Sequence, residues 1–262
     1  MIPRAYITEW RTLAPWKTNE QVEQDLILSR ILVEIFSDAF LCEHLAFRGG
    51  TALHKLYLAP AIRYSEDIDL IQKTATPIGP IFDRIKERLE FLGMPSRKRT
   101  QRDSALIYRF DSEIPPVSTN KIKIEINCRE HFSVYGFQPY PFRVKSQWFQ
   151  GKVDLPTFTL EELLGSKMRA LYQRRKGRDL LDLWAAITQK SVNLDKVVHA
   201  FQQFMQFDDL SVSRADYEKN LMDKMQNKYF IGDTENLLRE GIQYDPHTAF
   251  GVVMETLTSR LD

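Results

Sequence analysis

The chain is 262 residues long, 43% hydrophobic and 27% charged, with a formal net charge of +1. That describes a globular chain with ample core, one large domain or two modest ones, in which any RNA binding must come from a local basic patch. Two cysteines, Cys42 and Cys128, make neither a disulfide framework nor a zinc cluster and point to a reducing cytoplasm; no apolar run is long enough for a membrane span and no signal-peptide pattern opens the chain.

Residues 1–17 read as irregular, with Pro3 and Pro15 among apolar Trp10 and Trp16. Thr18 with Gln21 fits a capping box, and Val22, Leu26, Ile27, Ile31 and Ile35 recur at helical spacing behind it. Leu45 to Phe47 reads as a first strand, Thr51 to Tyr57 as a short helix broken by Ala59-Pro60, and Ile68 to Ile71 as a second strand. Thr74 to Pro80 reads as a loop and Ile81 to Leu92 as an amphipathic helix stopped by Gly93. Ser104 to Phe110 and Lys121 to Cys128 are the clearest strands; in the latter Ile122, Ile124 and Ile126 alternate with Lys121, Lys123, Glu125 and Asn127. Arg129 to Gly151, with Pro139 and Pro141, has no assignable pattern. Beyond Pro156 the pattern is helical: Thr159 with Glu162 gives a second capping box, followed by helices over Leu160–Tyr172, Asp179–Ile187, Leu194–Phe204, Arg214–Met225 and Pro246–Leu257.

The chemistry concentrates between Phe47 and Leu70. Gly49-Gly50-Thr51 is a turn entering a helix, where unhindered backbone N–H groups suit a phosphate. Asp67 and Asp69, two apart along a strand, project together while Ile68 and Leu70 face the core. Two such carboxylates repel by about 4 kcal/mol at an effective dielectric of 20, and a divalent cation is the usual remedy. Glu125 is either a third carboxylate for a metal site or an exposed acid paired with Lys121 or Lys123; Asp111 is a weaker competitor. Lys55 and Arg63 could neutralise a triphosphate, and Ser65 could bond a phosphate or cap the turn. Arg97-Lys98-Arg99 with Arg102 is either an RNA-tracking cluster or a solvated loop, and Arg174-Arg175-Lys176 is the better RNA candidate. The five histidines, His44, His54, His131, His199 and His247, show no metal-ligand spacing.

Gly49-Gly50-Thr51-Ala52-Leu53 followed by Arg63-x-Ser65-x-Asp67-x-Asp69-Leu70 resembles the first motif of the AbiEii/AbiGii toxin family, within the DNA polymerase β-like nucleotidyltransferase superfamily. The gap between Gly50 and Asp67 is longer than in many superfamily members, and Glu125 stands where an Asp is usual. A second stretch, Lys167-x-x-Ala170-Leu171-x-x-Arg174 then Arg178-Asp179-x-x-Asp182-Leu183, resembles that family's helical motif. Lys167, Arg174 and Arg178 share a face if the helix is continuous, whereas Gly177 could break it in two.

The resemblance implies an α+β fold: a polymerase β-like nucleotidyltransferase domain with a small mixed sheet over residues 1–156, then an all-helical domain over residues 157–262. It implies Mg²⁺ or Mn²⁺ held by Asp67, Asp69 and Glu125, with Glu125 as third ligand or base. It also implies NTP phosphates held by Gly49, Gly50, Thr51, Lys55, Arg63, Ser65, Arg178 and Lys167, with Asp182 or Asp179 orienting that lysine or serving the attacking hydroxyl. The implied function is NMP transfer from an NTP to RNA, with the 3′ end of tRNA as the expected acceptor, by a cytoplasmic toxin of a toxin–antitoxin or phage-defence system under a cognate antitoxin. Nucleotidyl or kinase-like phosphoryl transfer to a protein hydroxyl, and NTP binding without turnover, are the alternatives.

Overall fold

The computed structural model describes residues 2–99 and 103–262. Two compact units form, one from Met1–Ala52, Tyr64–Phe132 and Gly136–Phe158, the other from Leu53–Arg63, Ser133–Tyr135 and Thr159–Asp262.

In the first unit, α1 (Arg4–Trp10) forms where an irregular stretch is expected. Seven residues make a marginal helix in isolation, so tertiary contacts hold it. Ile7 and Trp10 are buried, and the Trp10 indole donates to Asp25 Oδ1 at 2.9 Å. Asp25 lies on α2 (Asn19–Phe36), which opens with the expected capping box: Thr18 and Gln21 each accept the other's backbone N–H. Next come α3 (Ala39–His44), β1 (Leu45–Arg48), α4 (Gly49–Ala52) and β2 (Ile68–Gln72). The helix α5 (Ile78–Arg88) starts inside the expected loop, because Gly79 and Pro80 sit in its first turn, where a missing N–H costs nothing. The basic cluster after Pro95, for which a solvated loop is one of two readings by sequence, lies on a strand, β3 (Ser96–Arg99); Arg102 lies outside the described residues. β4 (Asp103–Asp111) and β5 (Thr119–Asn127) follow.

The unassigned Arg129–Gly151 region supplies a further hairpin, β6 (Gln138–Lys145) with β7 (Gln150–Thr157). The seven strands run in the order β3-β4-β5-β2-β1-β7-β6. Hence β6 is an edge strand, which tolerates Pro139 and Pro141 because one side needs no ladder donors. At the opposite edge, charged Arg97 and Lys98 on β3 discourage pairing with another chain. β2 runs parallel to β5 and antiparallel to β1. The fully buried Ile68, Leu70, Ile122, Ile124 and Ile126 form the apolar side of these central strands.

The second unit begins with a single π-helical turn, Leu53–Tyr57. Its helices are α6 (Leu160–Gln173), α7 (Gly177–Gln189), α8 (Leu194–Phe207), α9 (Arg214–Met225), α10 (Lys228–Ile231) and α11 (Pro246–Thr256), with α6 packed on α7 and α8 and α11 on α7. Thr159 caps α6 through Glu162 N–H, but the Glu162 carboxylate does not return to close the box. It is fully buried and accepts from Ser133 Oγ, Val134 N–H and Tyr135 N–H at 2.7–3.0 Å, binding that short excursion of chain into the unit. The helix does break at Gly177: a Cβ there would collide with the Phe230 carbonyl, so only glycine permits the close approach. Among the described residues, no helix is long and apolar enough to cross a membrane.

Candidate active site

Strand register assembles the first set of candidate residues. Pairing of β2 with β5 sets Asp69 beside Glu125, and pairing of β1 with β2 sets Arg48 beside Asp69. Asp67 immediately precedes β2, two residues from Asp69 and so on the same side of the chain. Lys123, two residues before Glu125, places its ammonium 2.5 Å from Glu125 Oε2 and 3.5 Å from Asp67 Oδ2. Glu125 thus sits level with Asp69 in register and is paired with Lys123.

Gly49 has φ +80°, a left-handed conformation suited to glycine, and its Cα lies directly over the Asp69 carboxylate. Gly50 is buried in the same turn. The Thr51 hydroxyl bonds the Asp67 carbonyl and, at 2.8 Å, the Ser65 hydroxyl. Both hydroxyls therefore fasten the segment that carries Asp67.

Burial raises the Asp67 pKa, with the Lys123 charge working against it. Burial pulls the Lys123 ammonium down, but the hydrogen bond to Glu125 and the charges of Asp67, Glu125 and Asp69 outweigh it and leave its pKa raised. Asp103, at the start of β4, is raised by burial and then by the negative charge of Glu125, with Glu130 and Asp69 adding to it. Glu130 in turn pairs with Arg48 at 2.9 Å. Sequence reasoning missed Asp103, Glu130 and Arg48. The first two lie far from the Asp67-x-Asp69 signature, and only strand pairing brings them to it.

The fit of a divalent cation rests on this charge balance. Among the described residues, the acids Asp67, Asp69, Asp103, Glu125 and Glu130, with Glu66 beside Asp67, outnumber the cations Arg48, Lys121 and Lys123 that act on them. Among the described residues no three His, Cys, Asp or Glu side chains converge as a ready metal cage. The Lys123 ammonium bridges Glu125 on β5 and Asp67 just before β2. Hard carboxylate oxygens in excess, open to water at Asp67 and Glu125, are the donor type that a hard divalent cation takes.

The second set lies in the other unit. Asp182, fully buried, accepts from Arg63 Nε and Nη2 at 2.7 and 2.8 Å, from His54 Nε2 at 2.8 Å, and pairs with Lys167 Nζ at 2.9 Å. Asp179, also buried, pairs with Lys167 at 3.1 Å and takes a bidentate contact from Arg174 at 2.7 and 2.8 Å. Burial alone would raise both carboxyls, but Arg63, Lys167 and His54 hold Asp182 well below the usual range, and Lys167 and Arg174 lower Asp179. Burial drops His54 to about 4, so its imidazole is neutral and donates to Asp182 through Nε2. Its buried Nδ1 has no hydrogen-bond partner. Nothing in its sequence spacing marks His54 for this position.

Arg63 is thus 3% exposed and committed to Asp182, not turned to a phosphate. Because the helix breaks at Gly177, Lys167, Arg174 and Arg178 do not share one continuous face; Asp179 gathers the first two instead. Arg178 opens α7 with its backbone N–H on Asp233, Lys55 lies half-buried on the π-helical turn, and Arg175 is exposed between α6 and α7. On β3, Arg97 pairs with Asp83 at 3.1 Å.

Comparison with solved structures finds this fold in nucleotidyltransferases. MenT4, a nucleotidyltransferase toxin of Mycobacterium tuberculosis H37Rv, aligns at TM-score 0.64 and 15% identity, covering 100% of this chain and 91% of that one. JHP933 of Helicobacter pylori aligns at TM-score 0.57 and 17% identity, covering 93% of this chain and 94% of that one. At such identities the likeness is one of fold. No curated protein sequence matches the chain significantly. A family model described as nucleotidyl transferase AbiEii toxin, type IV toxin–antitoxin system, matches residues 30–255, and the chain belongs to the AbiEii nucleotidyltransferase toxin family.

Proposed function

We propose that the protein transfers NMP from an NTP to the 3′ end of tRNA in a Mg²⁺-dependent reaction, blocking translation until a cognate antitoxin neutralises it. The observation that carries the reading is the register of β2 with β5, which sets Asp69 beside Glu125 with Asp67 on the same side and Gly49 against the Asp69 carboxylate. Carboxylates from two adjacent strands are the donor set that phosphoryl-transfer chemistry uses.

Asp67, Asp69 and Glu125 would hold the cation, which supplies charge neutralisation at the phosphate and lowers the pKa of the attacking hydroxyl. Gly49 and Gly50 leave the backbone bare for the approach of the triphosphate. Lys167, oriented by Asp179 and Asp182, would neutralise phosphate charge, with Lys55 and Arg178 as further cations. Arg63 and His54 act one step back, fixing Asp182. Burial of Asp182 favours this orienting role over contact with the attacking hydroxyl. The acceptor hydroxyl gives up its proton to solvent as its oxygen bonds to the α-phosphorus, the bond from that phosphorus to the bridging oxygen breaks, and pyrophosphate leaves. Arg175, exposed beside the two motifs in sequence, would contact the RNA backbone.

The test is incubation of the purified protein with total tRNA, MgCl₂ and each labelled NTP in turn, with Asp69→Ala as control. Label in tRNA from one class of NTP, absent with the variant, is expected. Label on protein would move the acceptor to a side-chain hydroxyl, and no label in either would refute transfer.

A further inference from the structure

Lys123 is a polar-face residue of β5 that the reaction as proposed leaves without a role. It alternates with buried Ile122 and Ile124, and its ammonium reaches an acid on its own strand and one just before the neighbouring strand, Glu125 at 2.5 Å and Asp67 at 3.5 Å. We propose that Lys123 is a tethered counter-cation: it takes the divalent ion's place on the carboxylate face of the free protein and leaves Glu125 when the ion binds. This rests on the reading of Asp67, Asp69 and Glu125 as the ion's ligands.

Three features support an exchange in preference to a fixed strut. First, the positions are mutually exclusive. Mg²⁺ binds carboxylate oxygen at about 2.0–2.1 Å, so an ion on the Glu125 oxygen that the ammonium occupies would be pressed against a like charge. Second, the lysine can leave. Its side chain is 26% exposed, it has a flexible four-carbon stem, and partly exposed ion pairs are individually weak. Third, it meets a need of the free protein. Asp67 and Glu125 both approach this one ammonium, which relieves their repulsion without a bound ion.

The functional consequence is a threshold. The ion must displace an internal competitor, so free metal binds weakly, and the metal–nucleotide complex, which brings its own triphosphate contacts, binds far better than the metal alone. In the free state Lys123 acts as a positioning residue for Asp67 and Glu125.

Titration of the full chain with MnCl₂, followed by calorimetry, tests this with wild type, Lys123→Met, Lys123→Gln, Lys123→Arg and Asp69→Asn. Lys123→Met and Lys123→Gln are expected to bind Mn²⁺ about tenfold or more tightly than wild type, Lys123→Arg to remain close to wild type, and Asp69→Asn to lose binding. A second readout uses wild type alone: the ¹⁵Nζ resonance of Lys123, held by Glu125, should shift on saturation with diamagnetic Mg²⁺. Asp69-dependent binding that changes less than threefold in both neutral variants, or a Lys123 resonance unmoved by saturating Mg²⁺, overturns the exchange while leaving the metal ligands standing. Absence of Asp69-dependent binding in wild type and every folded variant overturns the ligand assignment itself.

Discussion

Gly49 carries its Cα against the carboxylate of Asp69: a Cβ built at position 49 would lie 2.8 Å from Asp69 Cβ and Cγ and closer still to Oδ2. Backbone conformation makes the same demand, since φ at Gly49 is +80°. Gly49→Ala is therefore expected to cost roughly 1–3 kcal/mol and to push Asp69 out of line with Glu125. Chemical denaturation should show the loss of stability, and nucleotidyl transfer should fall further than the population of folded protein does.

Asp69 sits at the centre of the carboxylate face, flanked in register by Arg48 and Glu125. Its replacement by asparagine keeps the side-chain shape and removes a charge from a negatively overloaded surface. Transfer is expected to drop by about a thousandfold or more, the order expected when a ligand of an electrophilic metal is lost. The thermal midpoint should hold or rise. A label-incorporation assay beside a melting curve separates the two effects.

Asp182 is a keystone of a different kind. Removing it by Asp182→Ala leaves Arg63 and Lys167 buried at one end and His54 without its acceptor. Breaking one partner of a buried pair costs roughly 3–5 kcal/mol. The sign with pH follows from the lowered pKa of Asp179 and Asp182 against an unfolded value of 3.8. Their stabilisation is present above that value and is lost as pH falls below it through the folded-state values. The stability gap between wild type and Asp182→Ala should be wide at pH 6 and narrow steadily below pH 4.

Glu23 on α2 carries the opposite sign. It is fully buried, Oε2 accepts from Glu113 N–H at 3.1 Å, and Oε1 has no hydrogen-bond partner. Burial pushes its pKa from 4.5 up to about 7. The folded state thus holds a proton that the unfolded state releases, and stability falls as pH rises from about 4.5 through 7. Glu23→Gln, permanently neutral, should gain on wild type by about 2 kcal/mol between pH 5 and pH 8. Equal effects at both values would refute the assignment.

Much of the site is legible because it is local. Gly49, Asp67 and Asp69 belong to one run of sequence, and strict alternation from Lys121 to Asn127 identifies β5 and puts Glu125 opposite the isoleucines. The capping pair Thr18 and Gln21 is likewise readable, since both partners lie within one turn. Other elements escape because their determinants are remote. α1 depends on Trp10 reaching Asp25, and β6 contains prolines that argue against a strand until its place at the sheet edge is known. Glu162 has the spacing of a capping box, yet its carboxylate goes to residues 133–135, a stronger set of donors than the single N–H the box offers.

By itself, the sequence determined β1, β2, β4, β5 and most of the helices, the family motifs and the identity of the principal acids, all of which depend on spacing along a strand or a helical turn. Only the tertiary structure decided how those residues are used. The parallel register of β2 with β5 brought Lys123 between Asp67 and Glu125, and helix packing committed Arg63, a candidate triphosphate contact by sequence, to Asp182. The reason is the cost of isolating charge. A buried or crowded carboxylate takes the nearest available cation, and which cation is nearest depends on contacts between distant segments.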